Sequence, residues 1–259
     1  MMIDTHTHLY SDAFDEDREA VVKKALDTGV SKFFIPAIDA GHTQAMYQLE
    51  KDYPGRMHLM MGLHPTSVGS DYKDQLRHVE EQLASRSFYA VGEIGIDLYW
   101  DTSTLPLQRE AFKHQIGLAK QYGLPIVIHC RDAFAEIFEV LETEKDDALF
   151  GIFHCFTGTY EDAQKAISFG MKLGIGGVVT FKNGKIDQFL HKIPLEHLVL
   201  ETDSPYLAPA PFRGKRNESS YLALICEKVA QIYGVSEAEI QRQTTKNALE
   251  IFTLNSQKQ

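Results

Sequence analysis

The feature that most limits what this chain can become is a rhythm. Eight short apolar runs recur along it, at residues 1–3, 33–38, 57–63, 89–94, 125–130, 150–155, 172–175 and 198–201. Runs of this length, bounded by turn residues, read as buried parallel strands. The intervening spans 15–29, 43–52, 71–86, 106–122, 133–144, 160–169 and the short 184–191 have helical spacing of apolar residues, with Gly29, Gly123 and Gly170 as stop signals. Two further helices, 219–233 and 236–252, follow the eighth run. Strand–helix alternation of this kind builds a parallel sheet, either open and doubly wound or closed.

Polar residues at the strand ends favour closure. His6 and His8, Glu93, His129, His154 and Asp203 sit at or just past the ends of strands one, four, five, six and eight. In a closed barrel all these ends meet at one face, whereas an open sheet would scatter them. The expectation is therefore an α/β fold, a (β/α)8 TIM barrel with two extra C-terminal helices, forming a single domain over residues 1–259.

The same six residues are candidate metal ligands. His6-Thr7-His8 ends a short strand, and alternation with period two points both imidazoles, and Asp4, to one face. A lone buried histidine is often a hydrogen-bonded core residue. A buried carboxylate such as Glu93 is costly unless paired or metal-bound. Imidazole and carboxylate ligands suit Zn²⁺ or Mn²⁺, and Mg²⁺ where carboxylates and water dominate. Six ligands suffice for two ions, with Glu93 as a natural bridge.

Composition removes several alternatives. The formal charge of −10, from 26 basic and 36 acidic residues, argues against a protein that coats duplex DNA, because phosphate neutralisation carries such affinity. It leaves room for a local basic cluster. No apolar run approaches the ~18 residues of a membrane span, and the N-terminus is polar by its fourth residue. Three cysteines, Cys130, Cys155 and Cys226, provide no disulfide framework, so the expected setting is cytoplasmic, without an obligate protein partner.

Six successive stretches carry a resemblance over essentially the whole chain. Ile3-Asp4-Thr5-His6-Thr7-His8, Gly62-Leu63-His64-Pro65, Val91-Gly92-Glu93-Ile94-Gly95-Ile96-Asp97, Leu124-Pro125-Ile126-Val127-Ile128-His129, Phe153-His154-Cys155-Phe156-Thr157-Gly158 and Leu200-Glu201-Thr202-Asp203-Ser204-Pro205-Tyr206-Leu207 resemble the signatures of the TatD family of metal-dependent hydrolases. The resemblance implies an amidohydrolase-like barrel with His6, His8, Glu93, His129, His154 and Asp203 as ligands. It implies two divalent ions (Mg²⁺, Mn²⁺ or Zn²⁺) and a deoxyribonuclease, in some members a 3′-to-5′ exonuclease on single-stranded DNA. Some members are linked instead to removal of D-amino acids from tRNA, so D-aminoacyl-tRNA deacylase or another ester or amide hydrolase is the alternative. A metal-binding scaffold without catalysis is the third. Within the nuclease expectation, Asp203 acts as general base and Glu93 joins the two ions.

Other residues are expected to meet substrate. His64 closes strand three at the active face, as a phosphate contact or a loop cap. Arg213, Lys215 and Arg216 form the sharpest basic cluster in an acidic chain and are candidates for phosphate binding. Where the family usually has proline after the Asn-Glu pair of this loop, Ser219 stands here. Glu201 shares a face with Asp203 and either orients a ligand histidine or serves stability. Tyr99-Trp100, after strand four, read as loop-packing aromatics in preference to base-stacking ones.

Overall fold

The computed structural model describes residues 1–252. Eight strands form: β1 (Met2–Asp4), β2 (Val30–Ile35), β3 (Met57–Leu59), β4 (Val91–Asp97), β5 (Ile126–Arg131), β6 (Gly151–Phe153), β7 (Met171–Ile175) and β8 (Leu198–Leu200). All the ladders between them are parallel, running β1-β2-β3 and β4-β5-β6-β7-β8. Two bridges, Met61 with Val91 and Thr7 with Ser204, join these arcs into a ring. Thr5 N–H donating to the Leu200 carbonyl (3.1 Å) adds to the second join. The outer layer comprises α1 (Arg18–Asp27), α2 (Thr43–Asp52), α3 (Tyr72–Ser85), α4 (Leu105–Tyr122), α5 (Phe134–Glu144), α6 (Tyr160–Ser168) and α7 (Leu222–Tyr233), with α8 (Glu237–Ile251) last. No helix among the described residues is long and apolar enough to cross a membrane.

Strand alternation sorts side chains into two cores. Phe33 and Ile35, Ile126 and Ile128, and Leu198 and Leu200 belong to the core shared with the helices. Ile3, Phe34, Met60, Ala90, Val127, Ile152 and Val199 form a second cluster inside the ring. Ala248, Ile251 and Phe252 join that inner cluster, and the Phe252 ring stacks on Phe34 at 3.7 Å. The last helix thus plugs the N-terminal mouth of the barrel, leaving the opposite mouth for chemistry.

Two sequence expectations need correction. The span 184–191 is not a helix but two 3₁₀ turns, Ile186–Gln188 and Leu190–Lys192. Ile186, Leu190 and Ile193 are buried at helical spacing, but so short a segment does not repay the cost of nucleating an α-helix. In addition, Asp4 does not join His6 and His8. The β1 ladder ends at Asp4, and the Asp4 carboxylate instead accepts from Thr202 N–H (2.9 Å) and Oγ1 (2.6 Å). Asp4 therefore latches the first strand to the loop after the eighth.

Candidate metal centre

The polar cluster continues the inner core by one step along the strands. Val127 is followed two residues on by His129, Ile152 by His154, and Val199 by Glu201 and then Asp203. The alternation that places the apolar residues inside the ring carries these side chains inward too. On β4 the register shifts between Gly92 and Ile94, and Glu93, Gly95 and Asp97 then share the inner face. Gly95, at φ +143°, is needed there because a Cβ would fall 2.1 Å from the His129 carbonyl oxygen. Cys155 and Asp203, at the ends of β6 and β8, hold positive φ values of 43° and 58°. Such backbone conformations in non-glycine residues gather at functional sites.

Glu93 is the hub. It is 2% exposed, with five imidazoles around its carboxylate and no lysine or arginine paired to it among the described residues. Oε2 faces His6 Nε2 at 3.1 Å and His8 Nε2 at 3.7 Å. Oε1 faces His129 Nδ1 at 2.8 Å, His64 Nε2 at 3.3 Å and His154 Nε2 at 3.4 Å. Asp203 Oδ1 completes the first set, 3.5 Å from His8 Nε2 and 3.8 Å from His6 Nε2. Two ligand atoms sharing a tetrahedral ion at ~2.0–2.2 Å lie about 3.3–3.6 Å apart. The spacing is therefore one at which these atoms can share a cation, and several pairs are too long to hydrogen-bond. Three overlapping groups bring ligand-type atoms within reach of a shared ion: His6, His8 and Asp203; His6, Glu93 and His154; and His64, Glu93 and His129. The residues present fit divalent ions bound by nitrogen and oxygen.

Outer partners select the ligand nitrogen of three histidines. Asp97 Oδ2 lies 2.8 Å from His129 Nε2, leaving Nδ1 for the centre. Glu201 Oε1 lies 2.9 Å from His154 Nδ1 and also accepts from Cys155 N–H (2.6 Å), leaving Nε2. Tyr10 Oη lies 2.9 Å from His8 Nδ1. Gly174 makes room for Glu201, since a Cβ there would fall 2.2 Å from Glu201 Oε2. His64 is oriented the other way. Its Nδ1 accepts from Thr66 N–H (3.2 Å), so the neutral ring carries its proton on Nε2 and faces the centre as a donor.

Charge follows from this geometry. Burial works against ionising Glu93, but His64, His154 and His6 outweigh it and hold the carboxyl well below the usual range. Burial likewise opposes charge on His154, yet Glu201, Glu93 and Asp203 push it up to about 10. Burial opposes charge on His129 too, and the hydrogen bonds of Asp97 and Glu93 overcome it and raise the ring. Burial lowers His6 and His64. For Asp203, burial is outweighed by His154 and His8, which bring the carboxyl below its ordinary range. Burial, reinforced by Asp203, raises the Cys155 thiol well above its ordinary value, so it is no nucleophile.

The structure thus brings His6, His8, Glu93, His129, His154, Asp203 and His64 together. The basic loop is divided. Arg216 is bound to Asp17 through both carboxylate oxygens (2.7 and 2.6 Å) and to the Ala13 carbonyl (2.7 Å), fastening the loop to the chain before α1. Arg213 is exposed and lies 4.0 Å from the Phe181 ring centre. Lys215 is exposed and pairs with no carboxylate among the described residues. Sequence reading gave Asp97 and Tyr10 no role. The Glu93-Gly95-Asp97 alternation carried the signal for Asp97. Nothing local marked Tyr10.

The profile of the family described as TatD related DNase matches residues 3–253. A Bacillus subtilis protein described as the uncharacterized metal-dependent hydrolase YabD is 38% identical over 98% of this chain and 100% of its own length. The 3′-5′ ssDNA/RNA exonuclease TatD of Pantoea vagans is 33% identical over 98% of this chain and 100% of its own length. Among solved structures, the TatD homologue YjjV of Escherichia coli K12 superposes with a TM-score of 0.89 at 30% identity, covering 97% of this chain and 98% of that one.

Proposed function

This chain belongs to the TatD-related DNase family of metal-dependent hydrolases, and from that premise we propose that it is a deoxyribonuclease that shortens single-stranded DNA from the 3′ end. The observation that carries the proposal is the division of Glu93, whose two oxygens face different imidazole sets. In the proposed arrangement His6, His8, Glu93 and Asp203 hold one divalent ion, and Glu93, His129 and His154 a second. When bound, Mg²⁺, Mn²⁺ or Zn²⁺ would polarise the attacking water and offset charge on the phosphoryl oxygens.

The chain's own groups have distinct tasks. Asp203, ionised at neutral pH, accepts the proton of the attacking water. His64 directs its Nε2 proton at a phosphoryl oxygen, which its tautomer supports. Arg213 and Lys215 grip the neighbouring phosphate, while Arg216 holds their loop in place. Asp97 and Glu201 keep His129 and His154 in the ligating tautomer. The same centre serves a carbonyl substrate equally well, so the phosphate contacts decide the substrate class.

The test strips the protein of metal, restores Mg²⁺, Mn²⁺ or Zn²⁺ separately, and adds a 5′-labelled single-stranded oligonucleotide. A metal-dependent ladder shortening from the 3′ end, absent with Asp203→Asn protein purified in parallel, is the expected result. An intact oligonucleotide with every ion refutes the nuclease assignment and moves the search to D-aminoacyl-tRNA and other esters or amides.

A further inference from the structure

The barrel mouth carries a feature that the proposed chemistry does not use. Tyr99 and Trp100 are 54% and 70% exposed, so they are not the loop-packing aromatics that the sequence suggests. Their rings meet edge to face at 4.9 Å. The exposed Arg131 guanidinium lies 3.8 Å from the Tyr99 ring centre and 5.6 Å from that of Trp100. An aromatic pair left in water beside a cation is costly to keep unless something covers it.

The pair is also built into the centre. Asp97 Oδ1 accepts from both Tyr99 N–H (3.0 Å) and Trp100 N–H (3.2 Å), while its other oxygen contacts His129. Gln108 clamps the Asp97 backbone from α4, accepting from its N–H (2.8 Å) and donating to its carbonyl (3.1 Å). One carboxylate therefore sets both a candidate ligand histidine and the position of the aromatic step. In a ring of eight strands, those four apart lie opposite one another. The aromatics follow β4, and Arg213 and Lys215 follow β8. A strand crossing the mouth would meet cations at one side and an aromatic face at the other.

We propose that Tyr99, Trp100 and Arg131 form a stacking subsite for an unpaired nucleobase of the DNA strand whose phosphodiester lies at the centre. Every base has a π-face, so such a step binds single strands without demanding a sequence. Arg131 adds cation–π attraction and a charge for the adjoining phosphate. Duplex DNA keeps its bases stacked within the helix and gains nothing here. The inference rests on the nuclease assignment and specifies how that substrate is held.

Trp100 is the sole tryptophan, so its fluorescence reports the subsite directly. The metal-loaded protein is titrated with a phosphorothioate dT10, which resists cleavage, and with an abasic strand of equal length and charge. Quenching by dT10 and little change with the abasic strand is expected. For cleavage of ordinary dT10, Trp100→Ala should raise KM by between about 5- and 150-fold, the worth of one stacked base, with kcat changed less than threefold. Trp100→Phe should restore most of the affinity, a rescue that a merely structural role would not give. If wild-type protein degrades dT10 but Trp100→Ala and Tyr99→Ala leave KM unaltered, the subsite is wrong and the nuclease assignment stands. Should wild-type protein neither bind nor degrade dT10, both fall.

Discussion

Replacing Asp97 by asparagine changes one atom of a side chain outside the proposed ligand set, yet it should weaken metal binding. Asp97 Oδ1 accepts from two backbone N–H groups, so the oxygen of the introduced amide must take that place. The amide NH₂ then stands where Oδ2 was, 2.8 Å from His129 Nε2. Facing a donor, Nε2 becomes the acceptor and the ring proton moves to Nδ1, the nitrogen that points at Glu93. A protonated nitrogen cannot ligate. Recovering the ligating tautomer requires either two donors face to face or an amide flip that forfeits both backbone bonds. Each unsatisfied buried group costs about 1–3 kcal/mol. Metal affinity should accordingly fall by about 10- to 100-fold, equal to about 1.4–2.7 kcal/mol. Calorimetric titration of the metal-free protein with Zn²⁺ or Mn²⁺ measures this, and circular dichroism confirms that the fold is intact. Unchanged affinity and stoichiometry in a folded Asp97→Asn protein would refute the tautomer control assigned to this carboxylate.

Other consequences are open to direct measurement. In the metal-free protein at pH 7, His154, pushed up to about 10, carries an extra proton, and the hydrogen bonds of Asp97 and Glu93 raise His129 as well. A cation must displace the His154 proton, so binding at pH 7 should release at least one proton, and affinity should drop as pH falls; calorimetry in buffers of different ionisation enthalpy will read the release, and none at all would contradict this charge state. Phe252→Ala removes the ring that stacks on Phe34 at the plugged mouth and should cost about 3–5 kcal/mol in urea unfolding; a loss below about 1 kcal/mol would show that the barrel does not depend on this plug. Gly174→Ala drives a Cβ to within 2.2 Å of Glu201 Oε2 and should lower both melting temperature and metal affinity. Gly117→Ala, with no atom within 4 Å of the new Cβ inside α4, should instead stabilise by about 0.5–1 kcal/mol, and the opposite ranking of the two variants would overturn the packing account.

Much of the fold was legible in the sequence because strand and helix periodicities are local. Val127-Ile128-His129 shows why the centre was legible too: once a strand is recognised, alternation assigns the apolar residue and the histidine to one face. The reading failed where the backbone departs from regularity. Asp4 left the face of His6 and His8 because the first ladder stops there, and 184–191 was too short for its helical spacing to prevail. Tyr99 and Trp100 looked like packing residues because aromatic rings usually bury, and no local pattern reveals that a loop leaves them in water.

Strand–helix alternation, the acidic balance and six ligand-type residues at strand ends can all be read from the local pattern of the chain. Tertiary structure alone decided their pairing. Closure of the ring set Glu93 between two imidazole sets, supplied Asp97, Glu201 and Tyr10 as outer partners, and removed Arg216 from the exposed cations by binding it to Asp17. The difference is one of range. Backbone periodicity acts over a few residues, whereas the proton position on an imidazole or the partner of a guanidinium depends on atoms within about 3 Å, brought there from anywhere along the chain.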